Sequence, residues 1–425
     1  MTGNRLAAAV VVAAALTVHP GVAPAAPPPG ACGDVDPASP EVTEVPWAQR
    51  TLDTKAVHEH GTGAGVVVAV VDSGVDADHP QLRGKVQPSQ DFFLVGDLPG
   101  NFDCVSHGTG IASIVAAAPA PGTGFTGLAP DASILPVRIS ESDTTDGAAQ
   151  AIDPEVLARG IWYAVDQGAD VINLSVAGGL DNVYVRDAVR YAVGKDVVVV
   201  AAAGNAQQGT APGPASYPAG YDGVLGVGAV DMTGTRLPSS QIGPQVDLVA
   251  PGAGVLSAAR AGGHQYRDGT SFAAPFVSAT AALVRAARPE LSAPEVVQRI
   301  LATASPAPGG RDSAAYGAGL VNPYRALTDG LVTTGPAAVP AVRRPVPDPA
   351  EVRLAEWWDD STSTAWTIAI LTGAVAALGA ITALVLVRGR RGGWQPRRAV
   401  LPPAEPPRDE LPDEMFVVPP PPVER

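Results

Sequence analysis

Residues 66–71, Val-Val-Val-Ala-Val-Val, form an unbroken apolar run that ends in Asp72. The run is too short for a core helix and is dominated by β-branched side chains, so it predicts a strand. A strand with no polar alternation is buried on both faces, which places it in a parallel sheet covered by helices. The same pattern recurs at Ile134–Val137, Val171–Leu174, Val197–Ala202 and Val224–Val227. Helix signals fall between and after these runs. Asp153-Pro154-Glu155 supplies a cap and a first-turn proline, after which Leu157, Ile161 and Val165 share one face. Ser292-Ala293-Pro294-Glu295 is a capping box ahead of Val296, Val297, Ile300 and Leu301. Alternating strands and helices define an α/β fold, a parallel β-sheet flanked by helices on both faces.

In open α/β sheets ligands bind beyond the carboxyl ends of the strands, which is where Asp72 falls. Two other segments carry chemistry. Ser106-His107-Gly108-Thr109-Gly110 puts a histidine in a turn before an apolar helical segment, Ile111 to Ala118. Gly269-Thr270-Ser271-Phe272-Ala273-Ala274-Pro275 delivers a serine at the mouth of the apolar run Phe276 to Ala287, which reads as a buried helix. Each alone has a structural reading, Ser271 as a helix cap for instance. Together they supply an acid, an imidazole and a hydroxyl, the parts needed to activate a weak oxygen nucleophile. Asp76 and Asp78 follow the strand end and are expected to face the turn. Asp103, nearer His107 in sequence, is read as a loop cap.

The three segments, in the order Asp, His, Ser, resemble the subtilisin-like serine proteases. The resemblance runs from about Trp47 to about Leu327. Ala201-Ala202-Ala203-Gly204-Asn205 matches the family's oxyanion-asparagine segment, Ile172-Asn173-Leu174-Ser175 its substrate-pairing strand, and Asp247-Leu248-Val249-Ala250-Pro251-Gly252 the segment before the serine loop. The resemblance implies Asp72, His107 and Ser271 as the catalytic residues, with Asn205 and the Ser271 N–H stabilising the oxyanion. It implies that a protein or peptide substrate binds as an added strand along Ser175, Val176 and Ala177, with Ala202 and Gly204 on a pocket wall and Ser216 at its floor. The family usually has Gly where Ala177 stands. With no charge at these positions, a small or medium uncharged side chain is expected before the cut. No cofactor is implied. Related enzymes often hold calcium with an acid after a His-Pro pair. Here Gln81 follows His79-Pro80, and the loop Pro119 to Gly127 carries no acid, so no metal site is expected.

The chain ends set the surroundings. Arg5 followed by the apolar stretch Leu6 to Val18, with small residues Ala23-Pro24-Ala25 beyond, reads as a signal peptide over residues 1–25. In the disulfide-permissive space beyond it, Cys32 and Cys104, the only cysteines, read as a bridge, two free thiols being the alternative. Residues 26–46 are rich in Pro, Asp and Glu and form an extended N-terminal strap, with no room for a folded propeptide. The catalytic domain is assigned to residues 47–329 and a Pro-rich linker to 330–365. Trp366–Val387 is uncharged and long enough to span a bilayer as a transmembrane helix. Trp357, Trp358 and Trp366 fit an interfacial belt. Arg388, Arg390, Arg391, Arg397 and Arg398 place the tail, 388–425, in the cytoplasm and the protease outside the cell membrane.

A short bridged strap and a membrane anchor resemble the mycosins, membrane-anchored subtilisin-like proteases associated with type VII secretion. The resemblance implies a type VII secretion membrane complex as a partner. Two other roles fit the same features: a structural subunit of that complex with proteolysis secondary, and a general surface protease. The net charge of −14 argues against nucleic acid as a partner.

Overall fold

The computed structural model describes residues 27–33, 35–94, 98–141, 152–331 and 349–393. The signal-peptide segment, residues 332–348 of the linker, and the tail beyond residue 393, with Arg397 and Arg398, lie outside the described residues. The chain divides into two units, residues 1–333 and 334–425.

In the first unit six parallel strands form the central sheet: β1 (Val67–Asp72), β2 (Ser133–Arg138), β3 (Val171–Leu174), β4 (Val198–Ala202), β5 (Val224–Val230) and β6 (Leu248–Pro251). Their spatial order is β2-β1-β3-β4-β5-β6. Two short helices, α1 (Trp47–Thr51) and α2 (Thr54–His58), precede β1. Then come α3 (His107–Ala116), α4 (Pro154–Asp166), α5 (Val183–Gly194), α6 (Thr270–Ala287), α7 (Ala293–Thr303) and α8 (Pro323–Thr328). A hairpin of β7 (Val255–Ala258) and β8 (His264–Arg267) lies between β6 and α6.

Alternation along the strands divides the core. Val68, Val70, Val198 and Val200 pack with Ile111 of α3 and Phe276 and Leu283 of α6. Their neighbours Ala69, Val71, Val199 and Ala201 pack on the other face with Ile161 of α4 and Val189 of α5. Burial of each such valine, leucine or isoleucine contributes roughly 1.5–3 kcal/mol, so this double-sided core is the main stabilising term. The caps read from sequence are present: Asp153 Oδ1 accepts from Glu155 N–H at 2.8 Å, and Ser292 and Glu295 form a capping box.

Four boundaries differ from the sequence expectation. β1 includes Asp72 as its last residue. The segment Asp247–Gly252 contributes a sixth strand, β6, paired with β5. α3 begins at His107 itself instead of after a turn, and α6 begins at Thr270 and carries Pro275 inside it.

The N-terminal strap docks mostly through backbone groups. Asp36 N–H donates to Cys104 O at 2.9 Å, Ser39 N–H to Gly262 O at 3.0 Å, and His264 N–H to Pro40 O at 2.9 Å. The Trp47 indole N–H donates to Ala253 O at 3.0 Å. A Cβ on Gly263 would fall 1.6 Å from Ser39 O, so the strap's closest approach requires glycine there. Cys32 and Cys104 are disulfide-bonded with their Cα atoms 5.7 Å apart.

In the second unit one helix, α9 (Pro349–Arg391), starts inside the segment assigned to the linker. Its stretch Ala365–Arg391, whose most apolar 18 residues have mean hydropathy 2.4, is long and apolar enough to cross a membrane. Arg388, Arg390 and Arg391 occupy its last turn.

Candidate active site

Asp72 closes β1 and His107 opens α3, and the two meet: Asp72 Oδ1 lies 2.7 Å from His107 Nδ1, with both side chains buried. The second oxygen, Asp72 Oδ2, has no hydrogen-bond partner among the described residues. Ser73 N–H donates to Asp72 Oδ1 at 2.7 Å, so the carboxylate is gripped by the residue that follows it.

Ser271 sits in the first turn of α6, where the helix leaves its own N–H groups unpaired. Phe272, the next residue, stacks edge-on against the His107 ring at 5.2 Å between centroids, which brings the openings of α3 and α6 together. Pro275 has no N–H to offer the carbonyl four residues back, which is that of Ser271. Ser175 fills the place: its hydroxyl donates to Ser271 O at 2.7 Å. In return the Ser271 hydroxyl donates to Ser175 O at 3.1 Å. Asn173 Nδ2 donates to Ser175 Oγ at 2.9 Å and fixes that hydroxyl from β3.

Asn205 is oriented by the residue before the serine. Its Oδ1 accepts from Thr270 N–H at 2.9 Å and from Thr270 Oγ1 at 3.0 Å, while Gly204 N–H donates to Thr270 Oγ1 at 3.1 Å. With the carbonyl end tied down, the Nδ2 end of the exposed Asn205 amide lies beside Gly269 at the start of α6, 3.0 Å from where a Cβ there would stand. Ala177 is exposed, Val176 and Ala202 are buried, and Gly178 pairs with Tyr217 in both directions at 2.8 Å. That pairing brings the segment after β3 to the loop carrying Ser216. Ser216 Oγ lies 3.2 Å from where a Gly204 Cβ would stand, so Ser216 and Gly204 adjoin.

Sequence reading did not pick out Ser73, Thr270 or Pro275. Their signals are faint: a hydroxyl after the strand acid, a hydroxyl before the serine, and a proline read as a boundary. Asp76 accepts from Asp78 N–H at 3.0 Å and Ala261 N–H at 2.7 Å, facing the turn. Asp103 caps α3 and its preceding loop, accepting from Thr109 N–H at 2.9 Å and Val105 N–H at 3.0 Å. The residues where related enzymes hold calcium do not fit the ion. Gln81 Oε1 accepts from His264 Nε2 at 2.7 Å, and Gln81 Nε2 donates to Ala118 O at 2.8 Å and Phe125 O at 2.9 Å.

The parallel sheet, the Asp72–His107 pair at its carboxyl edge and the helix-borne serine together define a serine peptidase of the subtilisin type. The chain belongs to the subtilase family (Peptidase S8), which matches residues 63–319. It is similar to Mycosin-1 of Mycobacterium tuberculosis, 37% identical over 353 residues that span 72% of this chain and 77% of that protein. It is also similar to Thermitase of Thermoactinomyces vulgaris, 41% identical over 222 residues, 52% of this chain and 75% of that protein. The crystal structure of MycP1 with the N-terminal propeptide removed aligns with a TM-score of 0.60 at 34% identity, covering 68% of this chain and 99% of that one. MycP3 protease from the type VII (ESX-3) secretion system aligns with a TM-score of 0.60 at 34% identity, covering 74% and 99%.

Proposed function

We propose that this subtilisin-like peptidase is a membrane-anchored, extracytoplasmic endopeptidase that works through Asp72, His107 and Ser271 in association with a type VII secretion complex. The observation that carries the chemistry is the 2.7 Å contact of Asp72 Oδ1 with His107 Nδ1. It leaves the far nitrogen of the ring for proton transfer. In the proposed reaction the Ser271 hydroxyl leaves the Ser175 carbonyl, gives its proton to His107 Nε2 and attacks the substrate carbonyl. The departing proton then passes from His107 to the leaving amine. Asn205 Nδ2 and the Ser271 N–H receive the oxyanion; loss of one such donor costs about 10²–10³ in turnover. Substrate backbone lies along Ser175, Val176 and Ala177, the residue before the cut entering between that segment and Ala202–Gly204, above Ser216.

Anchoring is supported by the uncharged stretch of α9 and by the arginines that end it. Association with type VII secretion is supported by similarity to mycosins and to MycP3 from such a system. One experiment on sealed cells, with any outer barrier opened, tests activity and placement together. A membrane-impermeant fluorophosphonate is expected to label the chain, while a tag after Arg425 resists added protease until lysis. Labelling only after lysis, or a tag cut in sealed cells, would reverse the topology.

A further inference from the structure

We propose that Asp103 is a positioning residue for the catalytic pair, setting the place and the charge environment of His107 through Ser73. The inference rests on the reading of His107 as the general base.

The first turn of α3 needs outside partners. Its N-cap residue, Ser106, has a left-handed backbone (φ +63°) and makes no side-chain cap; its hydroxyl instead accepts from Arg260 N–H at 3.2 Å. The donors of that turn go elsewhere. Gly108 N–H donates to Ser73 Oγ at 2.9 Å, and Thr109 N–H donates to Asp103 Oδ2 at 2.9 Å. Ser73 Oγ donates in turn to Asp103 Oδ1 at 3.0 Å, and Thr109 Oγ1 to Asp103 Oδ2 at 2.6 Å. Asp103 thus accepts four hydrogen bonds while only 1% exposed. Both halves of the catalytic pair are clamped by this group: Ser73 grips Asp72 by its N–H and α3 by its hydroxyl. A Cβ on Gly108 would lie 2.1 Å from Gly74 O, so the helix start is pressed against the end of β1 as well.

Asp103 is also a second buried carboxylate, close enough to Asp72 to feel its charge. Burial, with Asp72 adding to it, pushes its carboxyl up to about 6. Asp72 on β1 is the charged group that acts on it, and His107 opens the helix whose Thr109 it holds; Arg138, which reaches Cys104 next in the chain, is already paired with Asp91 at 2.7 Å and Glu141 at 3.0 Å. Asp76 faces it only through the backbone, its N–H donating to Thr109 Oγ1 at 3.0 Å. When His107 takes a proton during the reaction, an ionised Asp103 favours the imidazolium without touching substrate.

The test compares wild type with Asp103→Asn and Ser73→Ala in the full detergent-solubilised chain, active sites being counted by phosphonate titration. Asp103→Asn is expected to lower kcat per titrated site about tenfold with KM for a peptide unchanged. It should also move the acid limb of the kcat/KM profile down by about half a unit or more. Ser73→Ala should lower kcat less and leave the acid limb in place, because both carboxylates remain. A purely structural Asp103 would reduce melting temperature and leave both the limb and kcat per titrated site unmoved; that result overturns the proposal. If Asp103→Asn does not fold, unchanged kcat in Ser73→Ala overturns it. A wild-type chain that fails to titrate refutes the general-base reading itself, an outcome distinct from either variant result.

Discussion

Ser175 and Ser271 exchange hydrogen bonds: each hydroxyl donates to the other's carbonyl, at 2.7 Å from Ser175 and 3.1 Å from Ser271. The exchange exists because Pro275 cannot serve the Ser271 carbonyl within α6. A residue read as part of the substrate edge therefore also holds the backbone of Ser271.

Ser175→Ala should leave the Ser271 carbonyl without its donor, at a cost of about 1–3 kcal/mol. If that cost falls on the reacting geometry, turnover drops roughly tenfold or more. Steady-state kinetics against a peptide substrate read this directly. Turnover equal to wild type would mean that the exchange has no part in placing Ser271.

The Cys32–Cys104 bridge joins the strap to the loop before α3 across a sequence separation of 72. In the chain-entropy account a closure of that length contributes about 4 kcal/mol. Non-reducing peptide mapping is expected to recover the two cysteines linked, and Cys32→Ser is expected to lower the melting temperature by several degrees. A variant that melts with wild type would leave the bridge no stabilising role.

Stability should fall on mild acidification. His264 is held near a pKa of about 4 by burial and by the nearby His79, and burial lowers His79 and His58 as well. In the unfolded chain such rings take up protons near 6.5, so between about 6.5 and 4 the unfolded state binds more protons than the folded one. Stability is therefore full above that window and is lost as pH falls through it. Asp103, raised to about 6, and Asp247, raised by burial, act in the opposite sense and offset part of the loss. His264 joins strap to core: its Nδ1 accepts from Val42 N–H at 3.2 Å, and its Nε2 donates to Gln81 Oε1 at 2.7 Å. His264→Gln should shrink the difference in melting temperature between pH 7.5 and pH 5, wherever its absolute stability lies. An undiminished difference would remove His264 from the account.

Much of the sheet and the three catalytic segments were legible because they depend on local signals. β1 to β5 are continuous apolar runs, and Asp72, His107 and Ser271 each sit in a short segment with its own turn chemistry. β6 was hidden by its length, four residues of which the last is Pro251, followed by Gly252. The hairpin β7–β8 was hidden because the sequence of β8, His-Gln-Tyr-Arg, has no apolar face. The start of α6 was misplaced because a proline usually marks a helix boundary, and only Ser175, 96 residues away, makes Pro275 tolerable inside it. The Asp103–Ser73 clamp and the seat of the strap are non-local hydrogen bonds, which sequence periodicity does not encode.

The most direct measurement is to react the solubilised chain with a fluorophosphonate, digest it, and locate the adduct by mass spectrometry. The account predicts a single modified peptide carrying the phosphonate on Ser271, no labelling of Ser271→Ala, and a melting curve for that variant like that of wild type. An adduct on another residue, or labelling of a folded Ser271→Ala chain equal to wild type, would contradict the assignment of Ser271 as the nucleophile.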